Sequence, residues 1–262
     1  MNFKRVLLRG DGHSGHKAGL TPPPWNSLNN DPDPRWQEIR ALLWNKYASI
    51  VDSLKPIYCL IDMGDAVDGK GERSGGTEQI VADRHEQADM AAWSINYCDA
   101  EHVVMVHGTP YHTGVLEDFD RDVADRVKHL DKIGSHEWVE INGVTFDCKH
   151  KVSSSVVPYG RGTPIARDWL WNALWAEREM QPKADIIVRG HTHTPFFIGE
   201  PGEWYACTLP ALQGLGTKFG ARQCSGIVKW GLAYCDVYDN GEWSIHWESH
   251  NIKEQAATSL KL

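Results

Sequence analysis

Short apolar runs typical of buried β-strands recur along this chain, and five of them lead directly into glycine, aspartate or histidine residues. The clearest run is Ala184–Arg189, which leads into Gly190-His191-Thr192-His193. Two histidines spaced two residues apart on a turn after a strand can direct both imidazole rings into one cleft, and imidazole is the commonest metal ligand in proteins. A solvated polar turn between two strands is the alternative for this segment alone.

Four further strand-like runs end in side chains of the same kinds. The segments that follow them are Asp11-Gly12-His13, Gly64-Asp65-Ala66-Val67-Asp68, His107–His112 and Lys149-His150-Lys151. In open α/β sheets ligands bind in the crevice outside the carboxyl ends of the strands, so we expect these loops to share one crevice. Carboxylates and imidazoles that meet there predict a metal-dependent hydrolase.

The order of the predicted elements indicates an α/β protein. Strands alternate with helical patterns early in the chain, whereas short β runs with Gly and Asn-Gly turns dominate towards the C-terminus. Helical periodicity predicts a helix between Pro34 and Pro56 and further helices over Thr77–Cys98, Val115–Leu130 and Thr163–Met180. This pattern favours stacked sheets covered by helices. Because no linker separates two parts, we expect residues 1–262 to form a single domain.

Composition excludes several classes of protein. The hydrophobic fraction of 41% and twelve tryptophans suffice for a sizeable core, and no run approaches the ~20 apolar residues needed to span a bilayer. The N-terminal segment lacks the pattern of a signal peptide, so we expect a soluble, cytoplasmic protein. Six cysteines without a Cys-x-x-Cys pair exclude a zinc ribbon and favour reduced thiols. The net charge of −8 gives no general attraction to nucleic acid.

Taken together, these motifs resemble the pattern of the calcineurin-like metallophosphoesterase family. The forms Asp11-Gly12-His13-Ser14-Gly15-His16 and Gly108-Thr109-Pro110-Tyr111-His112 resemble those of its bacteriophage-type members. The family pattern is Asp-x-His, Gly-Asp-x-x-Asp, Gly-Asn-His-Asp/Glu, a lone His and Gly-His-x-His, and four of these five motifs are matched over roughly residues 3–200. The resemblance implies the family's fold, a four-layer αββα sandwich of two mixed β-sheets flanked by helices, with metal ions at the strand ends. It also implies hydrolysis of phosphate esters.

By position, the resemblance implies a ligand set for two divalent transition-metal ions. The implied ligands of the first ion are Asp11, His13, Asp65 and His193. Asp65 would bridge to the second ion, whose other implied ligands are His150 and His191. Two cations about 3.5–4 Å apart repel one another, so a shared carboxylate is physically reasonable. Mixed oxygen and nitrogen ligands favour manganese, our first choice, or iron, zinc, cobalt or nickel.

The third motif departs from the family pattern. Gly108-Thr109-Pro110-Tyr111-His112 stands where the family has Gly-Asn-His, so Thr109 occupies the position of an asparagine ligand and brings a poorer donor to the second ion. His112 lies two residues later than the family's catalytic histidine, but a Pro-Tyr turn can return it to the same place. The resemblance therefore implies that His112 is the general acid that protonates the leaving alkoxide.

Several other side chains are candidates for contact with substrate. We expect His16 and Tyr111 to meet a phosphate-ester substrate. Trp25 is expected to stack on a base or to join the core, and Arg189 to meet a phosphate or to pair with a surface carboxylate. A phosphodiesterase that acts on nucleic acid or a nucleotide is the preferred function. A phosphomonoesterase, a metal-binding scaffold without turnover and a plain interaction domain are the alternatives.

Overall fold

The computed structural model describes residues 2–28, 33–114, 118–153, 155, 157–200, 202–214, 228–253 and 259–261 of the chain. Its strands are β1 (Phe3–Arg9), β2 (Cys59–Asp62), β3 (His102–Val106), β4 (Leu130–Gly134), β5 (Glu137–Ile141), β6 (Val144–Lys149), β7 (Ile186–Arg189), β8 (Phe196–Glu200), β9 (Trp204–Thr208), β10 (Trp230–Tyr238) and β11 (Trp243–His250). Its α-helices are α1 (Arg35–Leu54), α2 (Arg84–Asn96), α3 (Pro110–Thr113), α4 (Phe119–Ala124) and α5 (Gly162–Ala176).

The strands form two mixed sheets. The first sheet has the order β11-β10-β1-β2-β3-β4, in which β1 to β4 run parallel to one another, β10 is antiparallel to β1, and β11 is antiparallel to β10. The second sheet has the order β5-β6-β7-β9-β8, with parallel strands β6, β7 and β9 between two antiparallel edge strands. The parallel strands of each sheet deliver their loops to a common edge.

The core shows that the two sheets pack face to face between layers of helices. Successive side chains of a strand point to opposite sides of its sheet, so Leu7 packs with the buried residues of α1 and α2 while Leu8 packs with Phe146 of the second sheet. On the far side of the second sheet, Ile187 packs with Ile165 of α5. The layers therefore run helix, sheet, sheet, helix, which confirms the predicted αββα sandwich.

The helix predicted over Thr77–Cys98 begins only at Arg84. Asp83 caps this helix, because its side chain accepts a backbone hydrogen bond in the first turn. The preceding residues instead join the loop that follows β1, where the N–H of Ile80 donates to the carbonyl of Gly15 over 2.9 Å. Tertiary hydrogen bonds and packing thus override the helical periodicity in this segment.

The helix predicted over Val115–Leu130 is reduced to α4, and residues 115–117 lie outside the described chain. Leu130 instead begins β4, a strand at the edge of the first sheet that the prediction missed. The strand is difficult to predict from sequence because Asp131 and Lys132 are charged and exposed. Charged residues are common on edge strands but atypical of buried strands. The helix predicted to reach Met180 ends at Ala176.

Among the described residues, no helix is long and apolar enough to cross a bilayer. The cysteines present as buried free thiols are Cys59, Cys98, Cys148, Cys207 and Cys235. Cys224 lies outside the described residues.

We expect Phe146→Ala to lower the free energy of unfolding by about 3–5 kcal/mol, because the ring is fully buried between the sheets and its loss leaves a cavity. Tyr159→Ala is the control. The side chain of Tyr159 is 93% exposed, so its loss should change this free energy by no more than about 0.5 kcal/mol. Urea denaturation measures both, and similar values for the two variants would contradict a packed core between the sheets.

Candidate metal centre

The loops that follow β1, β2, β3, β6 and β7 meet at the carboxyl ends of their strands. Backbone hydrogen bonds join neighbouring loops: the N–H of Asp11 donates to the carbonyl of Gly64 over 2.9 Å, and the N–H of Gly190 donates to that of His150 over 3.0 Å. A further bond crosses between the sheets, from the N–H of His191 to Oδ2 of Asp11 over 3.1 Å. The strand ends thus share one crevice, as the sequence predicted.

One group of ligand-type side chains consists of Asp11, His13 and His193. Nε2 of His193 lies 3.1 Å from Oδ1 of Asp11 and 3.3 Å from Nε2 of His13. Nε2 of His13 is 4.0 Å from the same carboxylate oxygen. Each residue offers one ligand atom within 4.8 Å of the others, so the three can contact a common ion.

A second group consists of Asp65, His150 and His191. Nε2 of His150 lies 3.0 Å from Oδ2 of Asp65, and the ring centroids of His150 and His191 are 5.4 Å apart. Asp65 also belongs to a third group, with His13 and His112. Asp65 therefore belongs to two groups at once, and it is the residue for which the sequence resemblance implies a bridging carboxylate.

The backbone at these residues has an unusual conformation. In the described chain, nine non-glycine residues have positive φ angles. Five of the nine are Asp11, His13, Asp65, His191 and His193. Their φ angles lie between 45° and 70°, a left-handed conformation that costs a non-glycine residue roughly 1–3 kcal/mol. Such strain persists only where the surrounding structure enforces it and is concentrated at functional sites, so the backbone independently marks the residues that the motifs single out.

Two glycines permit the close approach of the turns around Asp65. Gly64 has a φ of 89°, and a Cβ at this position would lie 2.8 Å from the backbone of Gly108. A Cβ at Gly108 would in turn overlap the carboxylate of Asp65. The loops after β2 and β3 can therefore pack together only without side chains at these two positions.

Burial and neighbouring charges shift the pKa values of the clustered groups. Burial, followed by the nearby His112, lowers the pKa of His13 to about 4, so its ring is neutral near pH 7, as a metal ligand must be. Burial opposes ionisation of Asp65, but the imidazole of His150, whose Nε2 lies 3.0 Å from Oδ2 of Asp65, outweighs it and holds the pKa of Asp65 below its usual value. Burial also opposes protonation of His150, yet Asp65 and Asp11 raise its pKa to about 9.

This donor set fits a pair of transition-metal ions. Nδ1 of His13 and Nε2 of His150 are buried nitrogens that form no hydrogen bond of good geometry. Buried polar atoms nearly always have a partner, so unpartnered nitrogens beside ionised carboxylates indicate a place for a cation. Imidazole and carboxylate donors in one site suit manganese, iron, cobalt, nickel or zinc.

Thr109 lies in the candidate metal centre and forms hydrogen bonds with the carboxylate of Asp65. Its backbone N–H donates to Oδ1 of Asp65 over 2.6 Å, and its hydroxyl lies 3.1 and 3.2 Å from the two oxygens of the same carboxylate. A hydroxyl that donates to Asp65 orients that carboxylate. The predicted role of Thr109 as a metal ligand stays a prediction.

The α3 turn returns His112 to the centre, as the sequence predicted. Its Nδ1 donates to the carbonyl oxygen of Asp68 over 2.7 Å, and its ring packs edge-on against that of His13 with centroids 4.4 Å apart. Because a carbonyl can only accept, this bond places the proton on Nδ1 and leaves Nε2 for proton transfer. Tyr111 packs edge-on against His112, with centroids 4.7 Å apart.

His16 and Trp25 are both held by the protein itself. Nδ1 of His16 accepts from the N–H of Ala18 over 3.0 Å, and Nε2 lies 3.5 Å from Oε2 of Glu78. The indole N–H of Trp25 donates to Glu86 over 3.1 Å, and its ring packs against a small buried cluster. Trp25 thus follows the core alternative, whereas contact of His16 with substrate stays a prediction.

Asp68 and Asp120 are residues of the centre that the sequence predictions missed. Oδ1 of Asp68 lies 3.6 Å from Nδ1 of His13. The sequence feature that could have identified Asp68 is its position as the second aspartate of the Gly-Asp-x-x-Asp motif. Asp120 is fully buried, accepts from the N–H of Gly108 over 2.8 Å and lies 3.4 Å from Nδ1 of His107. No local pattern marks Asp120, because it belongs to a segment of mostly charged residues.

Arg189 pairs with carboxylates, so of its two predicted roles the structure supports this one and contradicts contact with phosphate. Its guanidinium donates to Asp147 over 2.7 Å and to Asp168 over 2.8 Å. The prediction placed the carboxylate partner at the surface, but Arg189 and Asp147 are both fully buried.

No protein-family model and no curated protein matches this sequence. Among solved structures, Vps29 of Entamoeba histolytica complexed with Zn²⁺ is 15% identical over 94% of this chain and 99% of that chain, with a TM-score of 0.44. A predicted phosphoesterase of Streptococcus pneumoniae is 11% identical over 95% and 99%, with a TM-score of 0.41. The NAD nucleotidase NadN of Haemophilus influenzae is 10% identical over 95% of this chain and 50% of that chain, with a TM-score of 0.44.

We expect Thr109→Asn to strengthen binding of a second Mn²⁺ ion by about tenfold, the scale on which groups around a metal tune its affinity. An amide oxygen is a better metal ligand than a hydroxyl oxygen. In this variant it replaces a hydroxyl that donates a hydrogen bond to Asp65. Thr109→Ala is the control, since it removes the hydroxyl without adding a donor. Isothermal titration calorimetry measures both, and equal affinity in the two variants would place residue 109 outside the coordination sphere.

Proposed function

We propose that this chain is a phosphoesterase that depends on two divalent transition-metal ions, and that its substrate is a phosphodiester. The observation that carries this proposal is the position of Asp65, which belongs to two groups of ligand-type side chains at once. A carboxylate shared between two imidazole-rich groups is the arrangement that a pair of closely spaced cations requires.

The proposed ligands divide between the two sheets. Asp11, His13 and Asp65 from the first sheet and His193 from the second would hold one ion. Asp65 together with His150 and His191 would hold the other. When bound, such a pair supplies Lewis-acid chemistry to a phosphate ester and lowers the pKa of water. Manganese remains our first choice of metal, with iron, zinc, cobalt or nickel as alternatives.

The chain's own groups supply proton transfer and orientation. His112 donates from Nε2 to the leaving alkoxide once that nitrogen is protonated, while its Nδ1 stays bonded to the carbonyl of Asp68. This bond fixes the direction in which the ring faces. Thr109 holds Asp65 through two donors, so the shared carboxylate keeps one orientation. A positioned general acid of this kind contributes about 10²–10⁴ in rate.

Charge at the centre favours a diester over a monoester. The centre contains three carboxylates, each close to a candidate histidine ligand. They belong to Asp11, Asp65 and Asp68. Arg189, the arginine next to a ligand turn, is neutralised by two carboxylates and adds no positive charge for substrate. A phosphate monoester carries nearly two negative charges at neutral pH, whereas a diester carries one. With two divalent cations bound, these three carboxylates cancel most of the positive charge of the metal ions, so the less charged substrate suits this centre.

We expect the manganese-loaded protein to hydrolyse bis-p-nitrophenyl phosphate with a higher kcat/KM than p-nitrophenyl phosphate. The two share a leaving group and differ in the charge on phosphorus, so their ratio isolates that difference. The reverse preference would support the phosphomonoesterase alternative. Two bound ions without hydrolysis of either ester would support a scaffold without turnover, and a strand-cleavage assay tests nucleic acid as the diester.

We expect His112→Ala to bind both ions and to lose about 10²–10⁴ in kcat on a diester with an alkoxide leaving group. The loss should be much smaller with p-nitrophenolate, which departs without a proton. His102→Ala is the control, because His102 lies at the opposite end of β3 and pairs with Asp131. Equal losses on both kinds of leaving group would remove His112 as the general acid.

A further inference from the structure

We propose that Arg9 and Arg189 are positioning residues of the metal centre, each forming a buried ion pair beneath one of its ligand turns. The inference rests on the proposed two-metal centre and adds to it the groups that set the geometry of the ligands. It is carried by a local repeat in the sequence and by matching contacts in the two sheets.

Both turns carry the sequence pattern Arg-Gly-x-x-His. Arg9 is the last residue of β1 and is followed by Gly10-Asp11-Gly12-His13, whereas Arg189 is the last residue of β7 and is followed by Gly190-His191-Thr192-His193. In each, the third and fifth residues have left-handed backbone, with φ angles of 52° and 45° in the first turn and 70° and 54° in the second. The two turns therefore share residue order and backbone conformation, although they belong to different sheets.

Arg9 connects the ends of β1 and β2 with the helices that cover them. Its side chain is fully buried, and Nε lies 2.9 Å from Oδ2 of Asp62, the last residue of β2. Nη1 donates to the hydroxyls of Tyr47 in α1 over 2.6 Å and of Ser94 in α2 over 3.2 Å. Asp62 also accepts from the N–H of Gly64 over 3.1 Å, so the pair extends into the turn that carries the shared carboxylate.

Arg189 makes the equivalent connection in the second sheet. It is fully buried, and Nη1 donates to Oδ1 of Asp147 in the neighbouring strand β6 over 2.7 Å. Nε donates to Asp168 of the covering helix α5 over 2.8 Å. Because β6 ends at Lys149, the next residue is the candidate ligand His150. Each arginine thus ties together two strand ends that lead into ligands.

Stability alone does not account for these pairs. A buried ion pair can often be replaced by apolar side chains of similar volume without loss of stability, because desolvation offsets the attraction between the charges. What apolar side chains cannot supply is a charged contact to the neighbouring strand combined with hydrogen bonds to the covering helices. Ligand residues held in a strained backbone need such constraints, since strain persists only where the surroundings enforce it.

Apolar double variants separate positioning from stability. The test variants are Arg9→Met with Asp62→Leu, and Arg189→Met with Asp147→Leu. The matched control is Arg5→Met with Asp236→Leu, which removes a 2.7 Å ion pair between β1 and β10 four residues before Arg9. Competition with a fluorescent chelator measures the affinity for Mn²⁺, and calorimetry of the metal-free protein measures its melting temperature.

We expect each test variant to lose at least tenfold in Mn²⁺ affinity, while its melting temperature falls no further than that of the control. The control should keep the affinity of the unmodified protein. Unchanged affinity in the test variants would overturn the inference, as would a loss shared equally by the control. If a double variant does not fold, Arg9→Lys or Arg189→Lys replaces it, since lysine keeps the charge but lacks the guanidinium fork; unchanged affinity in a folded lysine variant would equally overturn the inference.

Hydrogen exchange separates this inference from the proposed function. In the metal-free test variants, the amides of residues 10–13 and 190–193 should exchange faster than in the control. Unmodified protein that binds no transition metal would overturn the proposed function. Slow exchange at both turns in the test variants would overturn the positioning role whether or not metal binds.

Discussion

The structure depends on how the buried carboxylates of Asp11 and Asp65 are neutralised where the two sheets meet. A carboxylate removed from water is costly unless positive or hydrogen-bonding groups surround it. The first sheet supplies both carboxylates, and the second supplies the imidazoles that contact them, His193 at 3.1 Å from Asp11 and His150 at 3.0 Å from Asp65. The contacts that neutralise these carboxylates cross between the sheets, so the pairing that builds the site also holds the two sheets together.

Much of the centre could be predicted from sequence because parallel strands deliver their loops to one edge. An apolar run closely precedes each of five candidate ligands, Asp11, His13, Asp65, His150 and His193. These side chains come together once the strands formed by those runs lie side by side. Left-handed backbone at four of the five could not be predicted, since aspartate and histidine show no such preference strong enough to read from a single sequence.

The features that could not be predicted from sequence depend on contacts between distant segments of the chain. The partners of Arg189 lie 42 and 21 residues away, on β6 and α5, so no local pattern distinguishes a structural arginine from one that meets phosphate. The role of Asp120 likewise arises only when α4 packs beside the loop after β3. The edge strand β4 and the late start of α2 were missed for a related reason, because neighbouring segments, and not local periodicity, decide their conformation.

The topology sets the order in which these parts can come together. Phe3 of β1 lies opposite Tyr238 of β10, and Asp11 contacts His193, which is 182 residues further along the chain. Closing loops of this length carries an entropic cost that local contacts do not repay early in folding. We therefore expect the crevice to form late in folding, and only after the chain has been synthesised beyond His193. Any ion that occupies it would act as a marker that these distant strand ends of the two sheets have come together.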